Sequence, residues 1–563
     1  SMESSTGGWC AGMLPRALAF FVLSLWVSSA WPVVADSLTI GNAKALSLGN
    51  AVTADPPGID SIHFNPAGLA RIKGRVLQLK MVAADFSVVM DIGDYVDARK
   101  NRLQEMEATG LFEDGYFDDE AHMSTSETEG AALMLPFFGL TELPAIAAPL
   151  GGASYSPPGK DVTFATNVYA PMMVGFYRQE DDPGRFIGER MSLMHLTYFS
   201  PSFGLKVTDE FAVGAALTFN YVGVGMDLPI RAPHAGQLFL GDLQSQCDFV
   251  LREEFVGFQD LAPQLCRGER LGLYNQLAYL EFEVEQELVP GLNVGLLWSP
   301  TEWLTLGANY IHSFPIEMDG WFRWTNGDNW VAFMEPLLQP DANGVSLAGQ
   351  LNSALSLMGW SFPQGQNLTE GDASIAMEMP GQLMLGLSLQ VTDYLKVNVD
   401  YKFSGWSSWQ VLEVTFSEPV DFLRLAEIIQ PDLAGKQRIA FPLGLEDTWN
   451  WALGVEYQYS TNSVVRFGVE DRPTSLPDDG LTPLLPLGSG TLYGAGLGLK
   501  LDSDAVIEVG IGYMKSSLEM PGGSAQVGNS LDPSKLIYSP YAGSDLNVEL
   551  EMFLLEFSIS QPF

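Results

Sequence analysis

Five histidines, His63, His122, His195, His234 and His312, are the first side chains to test for chemistry. None lies in a His-Glu-x-x-His helix that would hold zinc, and no Gly-x-Ser-x-Gly turn stands between a strand and a helix. His195 has Ser192 and Ser200 close in sequence, a pairing a lipase-like enzyme would use, but on an alternating strand it reads first as a wall residue. The run Gly494-Ala495-Gly496-Leu497-Gly498 lacks the strand-to-helix setting of a nucleotide loop. No residue is therefore assigned catalysis, and no metal or cofactor is expected. Arg466 shares parity with Glu470, so the expected partner is that acid, with an anionic solute as the alternative. Arg231, Arg252 and Arg323 are further cations available to a carboxylate, and an uncharged solute would need none. Cys247 and Cys266 form an even pair whose disulfide would close a loop of roughly 20 residues, worth about 3 kcal/mol.

The elements that carry these residues are strands. Leu383, Leu385, Leu387, Leu389 and Val391 lead into Thr392-Asp393-Tyr394, and the chain returns through Leu395, Val397, Val399, Tyr401 and Phe403. Lys396, Asn398, Asp400 and Lys402 take the opposite face. Side chains alternate across a strand, so one face meets an apolar medium and the other water. Segments of about ten residues suit a tilted bilayer crossing. The pattern recurs around Thr208-Asp209-Glu210, Pro300-Thr301-Glu302, Ser460-Thr461-Asn462 and Asp502-Ser503-Asp504. About fourteen such strands run from Val76 to Phe563, which predicts an all-β fold: a transmembrane antiparallel barrel with short periplasmic turns and longer, partly helical outer loops. Beyond the N-terminus no stretch reaches the roughly 18 apolar residues of a spanning helix.

Composition narrows the partners. In 563 residues, 68 acidic against 29 basic side chains leave a formal charge of -39, which argues against nucleic acid. Arg16, the apolar run 17–27 and Val33-Val34-Ala35 predict a signal peptide over 1–35, cleaved before Asp36, and thus export. Residues 36–74 are rich in Gly, Pro and Asn, and precede a barrel domain over 75–563. Outer loops are expected near 227–280 and 314–371. In the second, Leu347, Leu351 and Leu355 share one face of a helix, which either packs as a cap or offers an apolar groove to hydrophobic solutes. Leu550, Met552 and Leu554 share inward parity and predict an apolar lumen patch. Ser200-Pro201-Ser202 interrupts a strand, because proline removes a ladder donor; either a wall kink or a bulge would follow. The terminal Phe563 is similar to the signal read by the outer-membrane assembly machinery.

Ala45-Leu46-Ser47-Leu48-Gly49-Asn50-Ala51, then Asp55, then Phe64-Asn65-Pro66-Ala67-Gly68-Leu69, resembles the N-terminal hatch of the FadL-type outer-membrane transporter family. The likeness continues in Gly175-Phe176, Ser200-Pro201-Ser202, Met379-Pro380-Gly381, Trp406-Ser407, Trp449 and Arg466. The resemblance implies a fourteen-stranded barrel plugged by a hatch whose motif is Asn65, Pro66 and Ala67, working as a monomer in the outer membrane among lipopolysaccharide. It also implies passive uptake of long-chain fatty acids or other hydrophobic small molecules, captured by outer loops and released sideways through the wall, without a cofactor. A general aqueous porin and an outer-membrane lipid-modifying enzyme are the alternatives.

Overall fold

A computed structural model describes residues 41–563, apart from 111, 113, 232–271, 341, 479, 486–487 and 533–537. The predicted disulfide between Cys247 and Cys266, the signal peptide, His234 and Arg252 lie outside the described residues.

The strands follow the alternation. They are β1 (Arg75–Tyr95), β2 (Ser124–Glu127), β3 (Ala131–Leu135), β4 (Gly139–Leu143), β5 (Ile146–Tyr155), β6 (Val162–Tyr177), β7 (Arg190–Phe199), β8 (Ser202–Lys206), β9 (Phe211–Arg231), β10 (Gln276–Thr301), β11 (Leu304–Ile311) and β12 (Phe314–Asn326). They continue as β13 (Leu368–Met379), β14 (Gln382–Thr392), β15 (Leu395–Ser404), β16 (Val411–Phe416), β17 (Ala434–Gly435), β18 (Arg438–Pro442), β19 (Thr448–Ser460), β20 (Ser463–Arg472), β21 (Ser489–Lys500), β22 (Val506–Met520) and β23 (Ser544–Pro562). Several are halves of one interrupted crossing, as β7 and β8 or β13 and β14 are, and the crossings form a closed antiparallel barrel of 14 strands. Closure runs along β1 and β23, from Val76 opposite Pro562 to Ile92 opposite Leu546. No edge is left over most of that seam, as lipid requires of a sheet.

Parity separates the two media. On β23, Phe553, Leu555 and Phe557 are exposed outward while Leu550, Met552 and Leu554 are buried inward. Leu77, Leu79 and Met81 of β1 and Leu292, Val294, Leu296 and Trp298 of β10 extend the same outward apolar belt. No helix among the described residues is long and apolar enough to cross a membrane. The five polar turns read from the sequence all join consecutive strands.

The outer loops are shorter than expected. β9 continues to Arg231, β10 begins at Gln276, and β12 runs to Asn326, so Trp321, Phe322 and Trp324 belong to a strand and not to a loop. The alternation of β12 carries above the belt, where its outward residues Glu317 and Asp319 are charged. Helices Asp328–Leu338 and Leu347–Ser356 do cap this side: Trp330 packs against Phe333 and Phe422, and Leu347 is buried. Leu351 and Leu355 are half-buried, whereas Leu357 and Met358 stand exposed beyond the helix.

Candidate functional site

Residues Gly41–Arg71 fold as short helices inside the barrel, touching strands on every side. Wall glycines make the room. A Cβ at Gly494 would stand 1.9 Å from the Leu46 carbonyl oxygen, one at Gly468 1.9 Å from the Leu48 carbonyl carbon, and one at Gly214 2.2 Å from that of Pro66. The space beside these inward glycines is thus filled by the chain's own N-terminal segment.

Asn65 builds the local turn. Its Oδ1 accepts from the Ala67 amide at 3.2 Å, capping the 3-10 helix Pro66–Arg71, and proline at the first position has no amide to leave unsatisfied. Asn65 Nδ2 donates to the carbonyls of Thr53 (2.8 Å) and Leu296 (3.1 Å), so one side chain ties two segments of the plug to β10. Ala67 has no exposed surface, which leaves no space for a larger residue there.

Charged groups hold the plug to the wall. Asp55 meets Lys44 at 2.9 Å, Arg71 at 3.1 Å and Lys396 of β15 at 3.0 Å. Burial pushes its carboxyl up, but Lys44, Lys396 and Arg71 outweigh that and hold it well below the usual carboxylate range. Asp400 accepts from the amides of Val52 (3.0 Å) and Thr53 (2.9 Å). Glu470 receives Asn50 Nδ2 at 2.9 Å while pairing with Lys402 and Arg472. Towards β1 and β6, Asp60 pairs with Lys80 at 2.7 Å and accepts from Asn42 and Asn167, each at 2.8 Å.

Arg466 corrects the sequence reading. It pairs with Glu456 (2.6 Å) and Glu508 (2.9 Å), not with Glu470. Residues four apart on a strand stand roughly 13 Å from each other. The cross-strand neighbour is nearer, and Glu456 is directly opposite Arg466. The other named cations are occupied too: Arg231 by Asp119 at 3.0 Å and Arg323 by Glu370 at 2.7 Å.

Between plug and wall lies a cavity of about 110 Å³. Its sides include Phe64 and His63 of the plug, Tyr169, Pro171 and Met172 of β6, and His195, Phe314, Met379 and Trp406. His63 stacks on Tyr169 with ring centres 3.9 Å apart and donates through Nε2 to Asn167 Oδ1 at 2.9 Å. Burial drives its imidazole down to about 3, against the opposing pulls of Asn167 and Asp60 and with Lys80 and His195 adding to the fall. Leu550, Met552 and Leu554 lie buried against β1 and β22 and are not among the residues around this cavity. Sequence reasoning missed His63, Tyr169 and Pro171 as a group. Their signal was a proline within an alternating strand, the same mark noticed at Pro201.

The ladder of the wall is incomplete beside them. β5 pairs with β1 along all of Ile146–Tyr155 but with β6 only from Gly151 opposite Val168 to Tyr155 opposite Phe164. Beyond Val168, β6 shifts register against β7 between Tyr169 and Met172, and Tyr169 turns inward onto His63. The next crossing is interrupted where the sequence indicated: β7 ends at Phe199 and β8 begins at Ser202. Ser200 Oγ donates to Asn167 Oδ1 at 2.7 Å, tying that break to the base of the β6 bend.

The family model of outer membrane protein transport proteins (OMPP1/FadL/TodX) matches residues 21–520. The chain belongs to this family. A curated relative, a long-chain fatty acid transport protein of Escherichia coli O6:H1, is 24% identical over 331 residues, 55% of this chain and 68% of the relative. Among solved structures, a FadL homologue of Pseudomonas aeruginosa superposes with a TM-score of 0.60 at 16% identity, covering 95% of this chain and 100% of its own. The toluene transporter TbuX of Ralstonia pickettii gives 0.55 at 16% identity, covering 93% of this chain and 99% of its own. Family and fold together make this chain an outer-membrane β-barrel transport protein of the FadL/TodX family, a family that carries hydrophobic compounds.

Proposed function

We propose that the protein admits small hydrophobic solutes, uncharged in preference to fatty acid carboxylates, and releases them sideways into the bilayer when the plug shifts. One observation carries this reading: the cavity beside His63 and Pro171 abuts the stretch where β5 and β6 part, at the height of the outward belt residues Leu79 and Met81. Proline at 171 withholds a ladder donor from β6, and the interruption at Ser200-Pro201-Ser202 leaves its neighbour free to follow the bend. The substrate preference is supported by charge. Among the described residues around the cavity, Lys402 is the Lys or Arg side chain, and Glu470 already engages it. A carboxylate entering there would lose hydration without gaining a spare cation. The exposed Leu357 and Met358 and the neighbouring loop helices serve as the outer capture surface, while the apolar patch Leu550, Met552 and Leu554 shapes the lumen above the plug.

Uptake of labelled toluene and of a labelled long-chain fatty acid by liposomes holding the purified protein tests this, with Pro171→Val alongside. Toluene is expected to enter faster than the fatty acid, and Pro171→Val, which lets β6 pair further with β5, is expected to slow it several-fold. Uptake of neither, with steady ion conductance in planar bilayers, would leave an aqueous porin instead.

A further inference from the structure

On its lipid-facing surface the barrel carries a second recess, of about 720 Å³, at the periplasmic edge. Its rim is aromatic: Tyr155 of β5, Phe164 of β6, Phe199 of β7, Phe203 of β8 and Phe563 beyond β23. Tyr155 faces Phe164, and Phe164 faces Phe203, in the register of the sheet, so these three stand side by side on the outer face. Aromatic rings at a membrane boundary are ordinary. A recess among them is not, and it exists because the crossing is interrupted at Ser200 and Pro201, with Pro201 on the groove wall.

Basic residues gather at the same edge of a strongly acidic chain. Arg75 lines the groove, its guanidinium carbon 5.4 Å from the Tyr155 ring centre. Lys73 lies two residues before it and Lys160 lies in the turn between β5 and β6, and all three are exposed. Among the described residues, none of the three has a carboxylate within salt-bridge distance, although 68 acidic side chains outnumber 29 basic ones overall. Of the acidic side chains near this edge, Asp209 holds Lys206 at 2.6 Å, Asp55 holds Arg71, and Asp161 is exposed in the turn.

We propose that this groove docks an anionic glycerophospholipid of the periplasmic leaflet, with an acyl chain lying over Pro201 between the rings and the phosphate held by Arg75 and Lys73. The groove is continuous with the outward apolar belt, so its occupant comes from the bilayer. The cations select the headgroup, because a guanidinium matches two phosphate oxygens at once and a lysine adds a point charge. A zwitterionic lipid would bring its own cation to the same place and gain less. The inference stands apart from the transport reading, since a lipid can dock here whether or not solute leaves through the wall.

The test uses the full-length protein in detergent, offered equal amounts of phosphatidylglycerol and phosphatidylcholine of distinct mass, with retained lipid counted by native mass spectrometry. Retention of about one phosphatidylglycerol in marked preference to phosphatidylcholine is expected. The pair Lys73→Gln with Arg75→Gln should lower that preference at least about tenfold, at roughly fivefold per cation. Arg323→Gln on the opposite side of the membrane should leave it unchanged. Phe199→Ala with Phe164→Ala should lower retention of both lipids together. Equal retention of the two lipids by the unaltered protein, or a preference that survives loss of both cations, overturns the proposal. Should the charge variant not fold, as judged by heat-modifiable migration, loss of the preference in high salt replaces it, and a salt-insensitive preference refutes the site.

Discussion

His63 and Asp55 show how two plug residues respond oppositely to acid. Asp55, enclosed by Lys44, Arg71 and Lys396, has its ionised form stabilised in place, so its contribution is present above the free carboxylate value near 3.8 and fades only far below it. His63 is docked as the neutral ring, with a value near 3 against about 6.5 when released. Released plug therefore binds the extra proton between those values, and docking is weakened as pH falls below about 6.5. At pH 5 the cost would reach about 2 kcal/mol, less to the extent that the half-buried ring meets water in the cavity. The protection factors of amides over 59–69, with the slower intrinsic exchange at pH 5 divided out, should fall by up to about thirtyfold from pH 7 to pH 5, while those over 43–54, on the Asp55 side, hold. His63→Gln should remove most of that pH dependence; an unchanged slope would show that another group titrates.

At the scale of elements, the plug fits because its wall strands were made of glycine where they pass it. Gly468 and Gly494 face Leu48 and Leu46 on neighbouring strands β20 and β21, opposite each other in register. Gly494→Val places branched carbon where the Leu46 carbonyl oxygen now lies, and neither backbone can yield easily within a closed sheet. The barrel ladder itself is untouched by the change, since glycine uses only its backbone there. The expected outcome is a barrel that still migrates as folded without heating but has a displaced plug, read as raised trypsin cleavage at Lys44. A variant equally resistant to trypsin would mean the wall, not the plug, had moved.

For the whole molecule, closure is the governing fact: the seam of β1 with β23 completes the wall, and the plug spans the ring it encloses. Removing 41–71 deletes both the filling and the plug-side partners of Glu470, Asp400 and Lys80. The wall ladders remain, so the shortened protein should insert and conduct small ions in planar bilayers, where the intact protein conducts at least about tenfold less; equal conductance would mean the plug does not seal the lumen. The sequence alone determined the barrel, its five short turns and its inward and outward faces, because a period of two is enforced by the medium on each side. It also disclosed the Asn65-Pro66-Ala67 turn and the break at Pro201, since amide geometry and a missing donor act locally. Only the tertiary structure decided that Arg466 serves Glu456 and Glu508, that Tyr169 bends inward to meet His63, and where the cavity lies. Those contacts join residues tens to hundreds of positions apart, and strand register, which a sequence periodicity leaves free by whole steps of two, chooses among them.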